Sequence, residues 1–205
     1  MSVWAIVVAA GSGSRFGGPK QYERLGDRRV LDWSVAAARS VCKGVVLVVA
    51  GERVGEAEPD VDAVVAGGAT RSASVRAGLA AVPADAEVIL VHDAARPLAP
   101  TALWRAVVDA VEAGNDAVVP AVPVTDTIRR QGGGTVDRSD LLAVQTPQGF
   151  RADVLRRAHA SEGEGTDDAS LAEAAGCVVT VVDGEPTNLK ITTTDDLAMA
   201  EARLR

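Results

Sequence analysis

The chain has 205 residues, of which 47% are hydrophobic and only 3% aromatic, and a formal net charge of −7. That length and apolar content fit one domain, residues 1–205, with a core of valine, alanine, leucine and isoleucine. The acidic balance argues against nucleic-acid binding, no apolar run approaches the roughly 20 residues of a membrane span, and no basic flank of a secretory signal precedes the first apolar run.

In chain order, the first expected element is a strand over residues 3–10, whose continuous valine-rich run suits burial on both faces. It empties into Ala9-Ala-Gly-Ser-Gly-Ser-Arg-Phe-Gly-Gly-Pro-Lys-Gln, a loop with four glycines, one arginine and one lysine. Glycines let backbone N–H groups close on a bulky anion, and Arg15 and Lys20 add fixed positive charge, so the loop reads as a phosphate cradle. It matches neither common cradle. A Walker A loop needs Gly-Lys-Ser/Thr, but Gly18 is followed by Pro19; a dinucleotide fingerprint needs glycine where Phe16 stands. Pro19 also keeps Gly18 out of the helical region and predicts an extended chain past Lys20. A plain glycine-rich turn is the competing reading.

Further strands are expected over residues 45–50, 62–66, 88–92, 117–122 and 178–182, and helices over 31–41, 72–82, 101–113, 152–161, 168–175 and 194–204. Gly44, Gly114 and Gly176 each stand where a helix should stop before the next strand. Strand and helix in alternation predict an α/β fold: a single-domain, Rossmann-like, mostly parallel sheet with helices on both faces and ligands at the carboxyl ends of its strands. Residues 125–148 break the pattern. Ile128-Arg-Arg, the triple glycine and Thr135-Val-Asp-Arg read as a hairpin that leaves the main sheet. A protruding β-arm of this kind, residues 123–147, suits the embrace of a second subunit, since an isolated ribbon is marginal in water; a disordered surface loop is the alternative.

Of the 21 lysines and arginines only three are lysine: Lys20, Lys43 and Lys190. Where nearly every cation is arginine, a lysine marks a place for a compact ammonium, which suits a crowded phosphate. Lys43 follows the expected helix over 31–41 as an ordinary C-terminal charge, which leaves Lys20 and Lys190, both in polar loops beside strands. Asp93 ends the run Val88-Ile-Leu-Val-His-Asp-Ala-Ala-Arg-Pro, with Arg96 three residues on. There it can share Mg²⁺ with nucleotide phosphates, because Mg²⁺ takes one or two protein carboxylates and fills its shell with phosphate and water. A helix cap is the other reading of Asp93, and cap and first-turn charges are the better reading of Asp195 and Asp196. Cys42 and Cys177 lack metal spacing and adjoin apolar runs, so buried free thiols in a reducing cytoplasm are expected. His92 and His159 are too few for a histidine metal site. With no Ser/His/Asp or Cys/His set to supply a nucleophile, cations around phosphate point to direct phosphoryl or nucleotidyl transfer.

These residues resemble one family over nearly the whole chain and in order: the 2-C-methyl-D-erythritol 4-phosphate cytidylyltransferases of the non-mevalonate isoprenoid pathway. The resemblance rests on Ala9-Ala-Gly-Ser-Gly-Ser-Arg, Pro19-Lys-Gln-Tyr, Gly67-Gly68, Val91-His-Asp-Ala-Ala-Arg-Pro, Asp126-Thr127, Thr135-Val-Asp-Arg138, Thr146-Pro-Gln, Thr166-Asp-Asp-Ala-Ser and Asn188-Leu-Lys-Ile-Thr. It implies CTP and 2-C-methyl-D-erythritol 4-phosphate as substrates, 4-diphosphocytidyl-2-C-methyl-D-erythritol and pyrophosphate as products, Mg²⁺ as cofactor, and a homodimer. It further implies that Ala9, Ala10, Gly11, Ser12 and Gly13 contact the nucleotide through their backbone, and that Gly68, Ala69 and Ser74 read the cytosine edge. Arg15 and Lys20 would stabilise charge on the α-phosphate, while Asp93 and Arg96 would face the sugar phosphate and the metal. Thr127 and Arg138, on the arm of the neighbouring subunit, would hold the alditol phosphate, and Lys190 would draw the two reacting phosphates together. Two positions depart from the family's pattern: the spacing from Arg15 to Lys20 is shorter than in some relatives, and Ala69 stands where many carry aspartate. A pentitol-phosphate cytidylyltransferase is the nearest alternative, then a nucleotide-binding regulatory protein without turnover, and more distantly a NAD-dependent dehydrogenase.

Overall fold

The computed structural model describes residues 1–161 and 163–204. β1 (Val3–Val8) is followed by a short hairpin of β2 (Arg24–Leu25) and β3 (Arg28–Arg29), then α1 (Val30–Arg39), β4 (Gly44–Val49), β5 (Ala63–Ala66), α2 (Arg71–Ala81) and β6 (Val88–Asp93). Next come α3 (Thr101–Glu112), β7 (Ala117–Pro123), a second small hairpin of β8 (Ile128–Arg129) and β9 (Thr135–Val136), and β10 (Leu142–Val144). The chain closes with β11 (Gln148–Arg151), α4 (Ala152–Ala158), α5 (Asp168–Ala174), β12 (Val179–Asp183) and α6 (Thr194–Arg203).

The main sheet runs β10-β7-β11-β6-β1-β4-β5, and β12 pairs with β7 as well. β1, β4, β5 and β6 pair in parallel, as do β7 and β12; β10 and β11 are antiparallel to their neighbours. Helices cover both faces, so the central strands need no polar alternation, and every residue of β4 is buried. α1 and α3 pack one face through Leu31, Val35, Trp104 and Val107, and α2, α4 and α5 pack the other through Val75, Leu155 and Ala172. Ala200 of α6 belongs to a third, smaller cluster with Leu25, Val30 and Ile191. The α/β class and the mostly parallel sheet follow the expectation.

Strand order reverses at β1. The chain moves from β1 to β4 and β5 on one side and then returns to β6 on the other, which opens a crevice at the carboxyl ends of β1 and β6. Val8 and Asp93 are register partners at that end. Topology thus brings the glycine-rich loop and the strand-end aspartate together, although they lie far apart in sequence.

The structure departs from the sequence reading in a few places, each with a local cause. β1 ends at Val8, so Ala9 and Ala10 belong to the loop: Gln21 Nε2 donates to the carbonyls of Ala9 and Gly11 at 2.6 and 3.0 Å and draws the chain off the sheet. The chain is not extended past Lys20. Lys20–Tyr22 form a 3₁₀ turn, started by the Pro19 carbonyl accepting from the Tyr22 N–H at 3.0 Å, and a φ of −74° at Pro19 suits that position. β11, inserted antiparallel between β6 and β7, lies outside the expected elements; Gln-Gly-Phe-Arg is too short and too mixed to announce a strand. Gly44 opens β4 with the Trp4 ring packed against it instead of ending α1. Both cysteines are free, but only Cys42 is buried, and burial pushes its thiol up to about 12. The hairpin of β8 and β9 is paired as expected, with residues 125–135 exposed throughout.

Candidate active site

The crevice holds a cavity of about 440 Å³. Its lining gathers Ala9, Ala10, Gly11, Ser12, Gly13, Arg15 and Lys20 from the loop, Gly68, Ala69, Arg71 and Ser74 from the start of α2, Asp93 from β6, and Lys190. The loop's shape is built from the inside. Gln21, almost fully buried, spends both amide hydrogens on the Ala9 and Gly11 carbonyls. Among the described residues the N–H groups of Gly11, Ser12 and Gly13 have no protein acceptor, so they are available to an anion. Gly13 has a φ of +66°, and a Cβ there would collide with the Gly18 carbonyl, so this turn accepts glycine alone.

Four cations face one carboxylate across the cavity: Arg15, Lys20, Arg71 and Lys190 against Asp93. An acidic chain has concentrated positive charge here, as a polyanionic ligand requires. Burial lowers the Lys20 pKa below that of an ordinary lysine, and repulsion from Lys190 and Arg15 lowers it further. An anion seated between these groups relieves that repulsion. Asp93 Oδ1 accepts from Arg71 Nε at 3.2 Å, and Oδ2 accepts from Lys190 Nζ at 2.6 Å. Burial opposes its charge, yet Arg71 and Lys190 hold its carboxyl well below the usual range, so it is ionised at neutral pH. Among the described residues its oxygens take side-chain cations and no helix N–H, which removes the helix-cap reading. Asp196 does cap: its carboxylate accepts from the Thr192 and Thr193 N–H groups, both at 2.8 Å, at the start of α6.

Arg96 does not line this cavity. Its guanidinium donates to the carbonyls of Asn188 at 2.7 Å and Val144 at 3.3 Å, which ties the segment carrying Lys190 to the end of β6. It borders a second cleft, of about 290 Å³, that shares Arg71, Asp93 and Lys190 with the first and adds Thr146. His92 lies fully buried beneath, 4.6 Å from the Trp104 ring between centroids. Its Nε2 faces the Arg96 carbonyl at 3.2 Å, which can only accept, so that nitrogen carries the proton and Nδ1 accepts from the Thr146 hydroxyl at 3.1 Å. Burial drops the His92 pKa to about 3, so the ring is a neutral brace. Thr146 Oγ1 in turn accepts from the Asp93 N–H at 3.1 Å.

At the other wall, the Ser74 hydroxyl accepts from the Gly68 N–H at 3.1 Å and donates to the Thr70 carbonyl at 2.9 Å. Ser74 therefore shapes the Gly68 turn. Thr127 and Arg138 sit exposed around the small hairpin and line neither cleft of their own chain; the Arg138 guanidinium donates to the Thr125 carbonyl. Gln21, Arg71 and Thr146 are absent from the residues nominated by sequence reasoning. One signal for Arg71 was available: it opens α2, where the helix dipole disfavours a cation, so another task must keep it there.

Known proteins resemble this chain in sequence and fold. Residues 3–205 match the family model described as 2-C-methyl-D-erythritol 4-phosphate cytidylyltransferase. The chain is 46% identical to a 2-C-methyl-D-erythritol 4-phosphate cytidylyltransferase from Nocardia farcinica, covering 99% of this chain and 94% of that one. It is also 46% identical to one from Saccharopolyspora erythraea, covering 100% of both chains. Among solved structures, the enzyme of that name from Thermus thermophilus superposes with a TM-score of 0.85 at 37% identity, covering 98% of each chain.

Proposed function

The chain belongs to the 2-C-methyl-D-erythritol 4-phosphate cytidylyltransferase family, and from that premise we propose that the cleft between β1 and β6 is its catalytic site. The protein transfers the cytidylyl group of CTP to 2-C-methyl-D-erythritol 4-phosphate in isoprenoid precursor biosynthesis. The observation that carries the site assignment is the set of unpaired backbone donors at Gly11, Ser12 and Gly13 beside four cations.

An oxygen of the acceptor's phosphate attacks the α-phosphorus of CTP in line; the bond to the bridging oxygen breaks and pyrophosphate leaves. No proton need move at the reacting phosphorus, so the residues act by alignment and charge stabilisation. The loop N–H groups hold the triphosphate tail, and Arg15 and Lys20 take up charge at the α-phosphate. Gly68 and Ala69, on the turn shaped by Ser74, face the cytosine edge through their backbone, so position 69 needs no polar side chain. Lys190 leaves Asp93 to bridge the two reacting phosphates. Asp93 faces the acceptor in the smaller cleft, and Arg96 fixes the wall beside it. Thr127 and Arg138 reach that cleft from a second copy of the chain, so the working unit is a homodimer joined through residues 123–147. We place the protein in the cytoplasm, in keeping with its two free thiols.

Among the described residues no group of three or more histidine, cysteine, aspartate or glutamate side chains is arranged to hold a metal. Asp93 nevertheless fits Mg²⁺, because it is ionised and each oxygen keeps a lone pair beyond its bond to Arg71 or Lys190. When bound to the triphosphate, Mg²⁺ would neutralise charge on the nucleotide, with Asp93 as its protein ligand.

Pyrophosphate release with a panel of nucleotides and acceptors tests this reading. CTP should exceed UTP by ~10²-fold in kcat/KM, because a turn built to hydrogen-bond one base edge leaves its polar groups unpaired against another. A chelator should abolish the signal and Mg²⁺ restore it. Equal turnover with UTP would undo the base assignment, and a preference for ribitol 5-phosphate over methylerythritol phosphate would contradict the acceptor.

A further inference from the structure

Asp93 is gripped by two cations of unlike character. Lys190 is 41% exposed, offers a single ammonium and stands in the cavity; Arg71 is 24% exposed and is anchored from behind. While Arg71 Nε bonds Asp93, its Nη1 lies 2.8 Å from Oδ2 of Asp168, the fully buried first residue of α5. Asp168 Oδ1 in turn meets His159 Nε2 at 3.0 Å, and His159 is itself almost fully buried. The chain of contacts runs from the cleft through α2 into the layer formed by α4 and α5. It explains a cation at the first position of α2 against the helix dipole.

We propose that Arg71, tethered by Asp168 and His159, is a positioning residue that keeps Asp93 in place when Lys190 turns to the reacting phosphates. This rests on the role assigned to Asp93 above. Lys190 can swing, because among the described residues nothing but Asp93 bonds its ammonium. Arg71 is less free to follow it, because moving its guanidinium would take the Arg71 cation away from the fully buried Asp168 and leave that carboxyl with His159. A planar fork spans two carboxylates at once, whereas one ammonium cannot take the same geometry.

The test measures kcat/KM for the acceptor, KM for CTP and the melting temperature in Arg71→Gln/Asp168→Asn, which removes both partners of that contact together. The pair should melt near the wild type, leave KM for CTP nearly unchanged, and lower acceptor kcat/KM by roughly 10- to 100-fold. Built on Asp93→Asn, the same pair should cost less than about threefold more, since its effect runs through Asp93. Wild-type kcat/KM in the pair would overturn the proposal and leave Arg71 a counter-ion of Asp168. A full further loss on Asp93→Asn would overturn it too, by showing that Arg71 acts independently. Asp93→Asn with unchanged kcat/KM would remove the role of Asp93 itself, and with it the proposal. Arg71→Lys, which keeps a charge against Asp168, carries the same comparisons if the paired variant melts early.

Discussion

Lys20→Ala is expected to lower kcat by roughly 10²–10³-fold, the loss found when one donor to a developing oxyanion is removed. CTP affinity should fall far less. The reason is in the site: Lys20 is partly desolvated and crowded by Lys190 and Arg15, so its ammonium is held where charge must be gathered, at a cost that a bound anion relieves. The triphosphate tail has other holders in the loop N–H groups, which stay intact in the variant. Steady-state kinetics with saturating acceptor separate the two effects. A normal kcat with a raised KM for CTP would reassign Lys20 to ground-state binding.

Arg138→Ala is expected to be as damaging, but at the acceptor. Its side chain lines neither of the two clefts that meet at Asp93 in its own chain, and the proposed dimer brings it to that site from a second copy. Arg138→Ala and Lys20→Ala, each inactive alone, should therefore complement when mixed. Equal mixing makes about half the dimers hybrid, and each hybrid has one site with both native residues and one with neither, so roughly a quarter of wild-type activity is the ceiling. Arg138→Lys should keep CTP binding and lose acceptor use, because an ammonium cannot grip a phosphate with two parallel bonds. Absence of complementation, despite subunit exchange followed with differently tagged chains, would return Arg138 to its own subunit or remove it from the reaction.

Much of the site was legible because its residues break local rules. Lys20 and Lys190 are lysines in an arginine chain, Asp93 ends a strand that is apolar up to His92, and Gly13 sits where only glycine can turn. The sheet was legible because buried parallel strands are written as continuous valine runs, of which β4 is the clearest. What escaped depends on tertiary contact. Arg71 is one arginine among many until Asp93 and Asp168 close on its two sides. Gln21 reads as an ordinary loop residue until its amide is seen to set the direction of the cradle's N–H groups. Arg96, nominated for substrate, is largely occupied with the carbonyls of Asn188 and Val144, a role that no motif carries. β11 pairs on both edges without any alternating pattern, since Gly149 lies against Val107 and Val111 of α3 while Phe150 belongs to the core cluster of Val154 and Leu155 from α4.

The central claim is that CTP binds with its triphosphate on the glycine-rich loop and its base at the start of α2. A crystal structure of the protein with CTP and Mg²⁺ tests it most directly. Phosphate oxygens are expected within hydrogen-bond reach of the Gly11, Ser12 and Gly13 N–H groups, the α-phosphate beside Arg15 and Lys20, and the cytosine edge against Gly68 and Ala69. A triphosphate bound away from residues 11–13, or a base turned away from Gly68 into solvent, would contradict it.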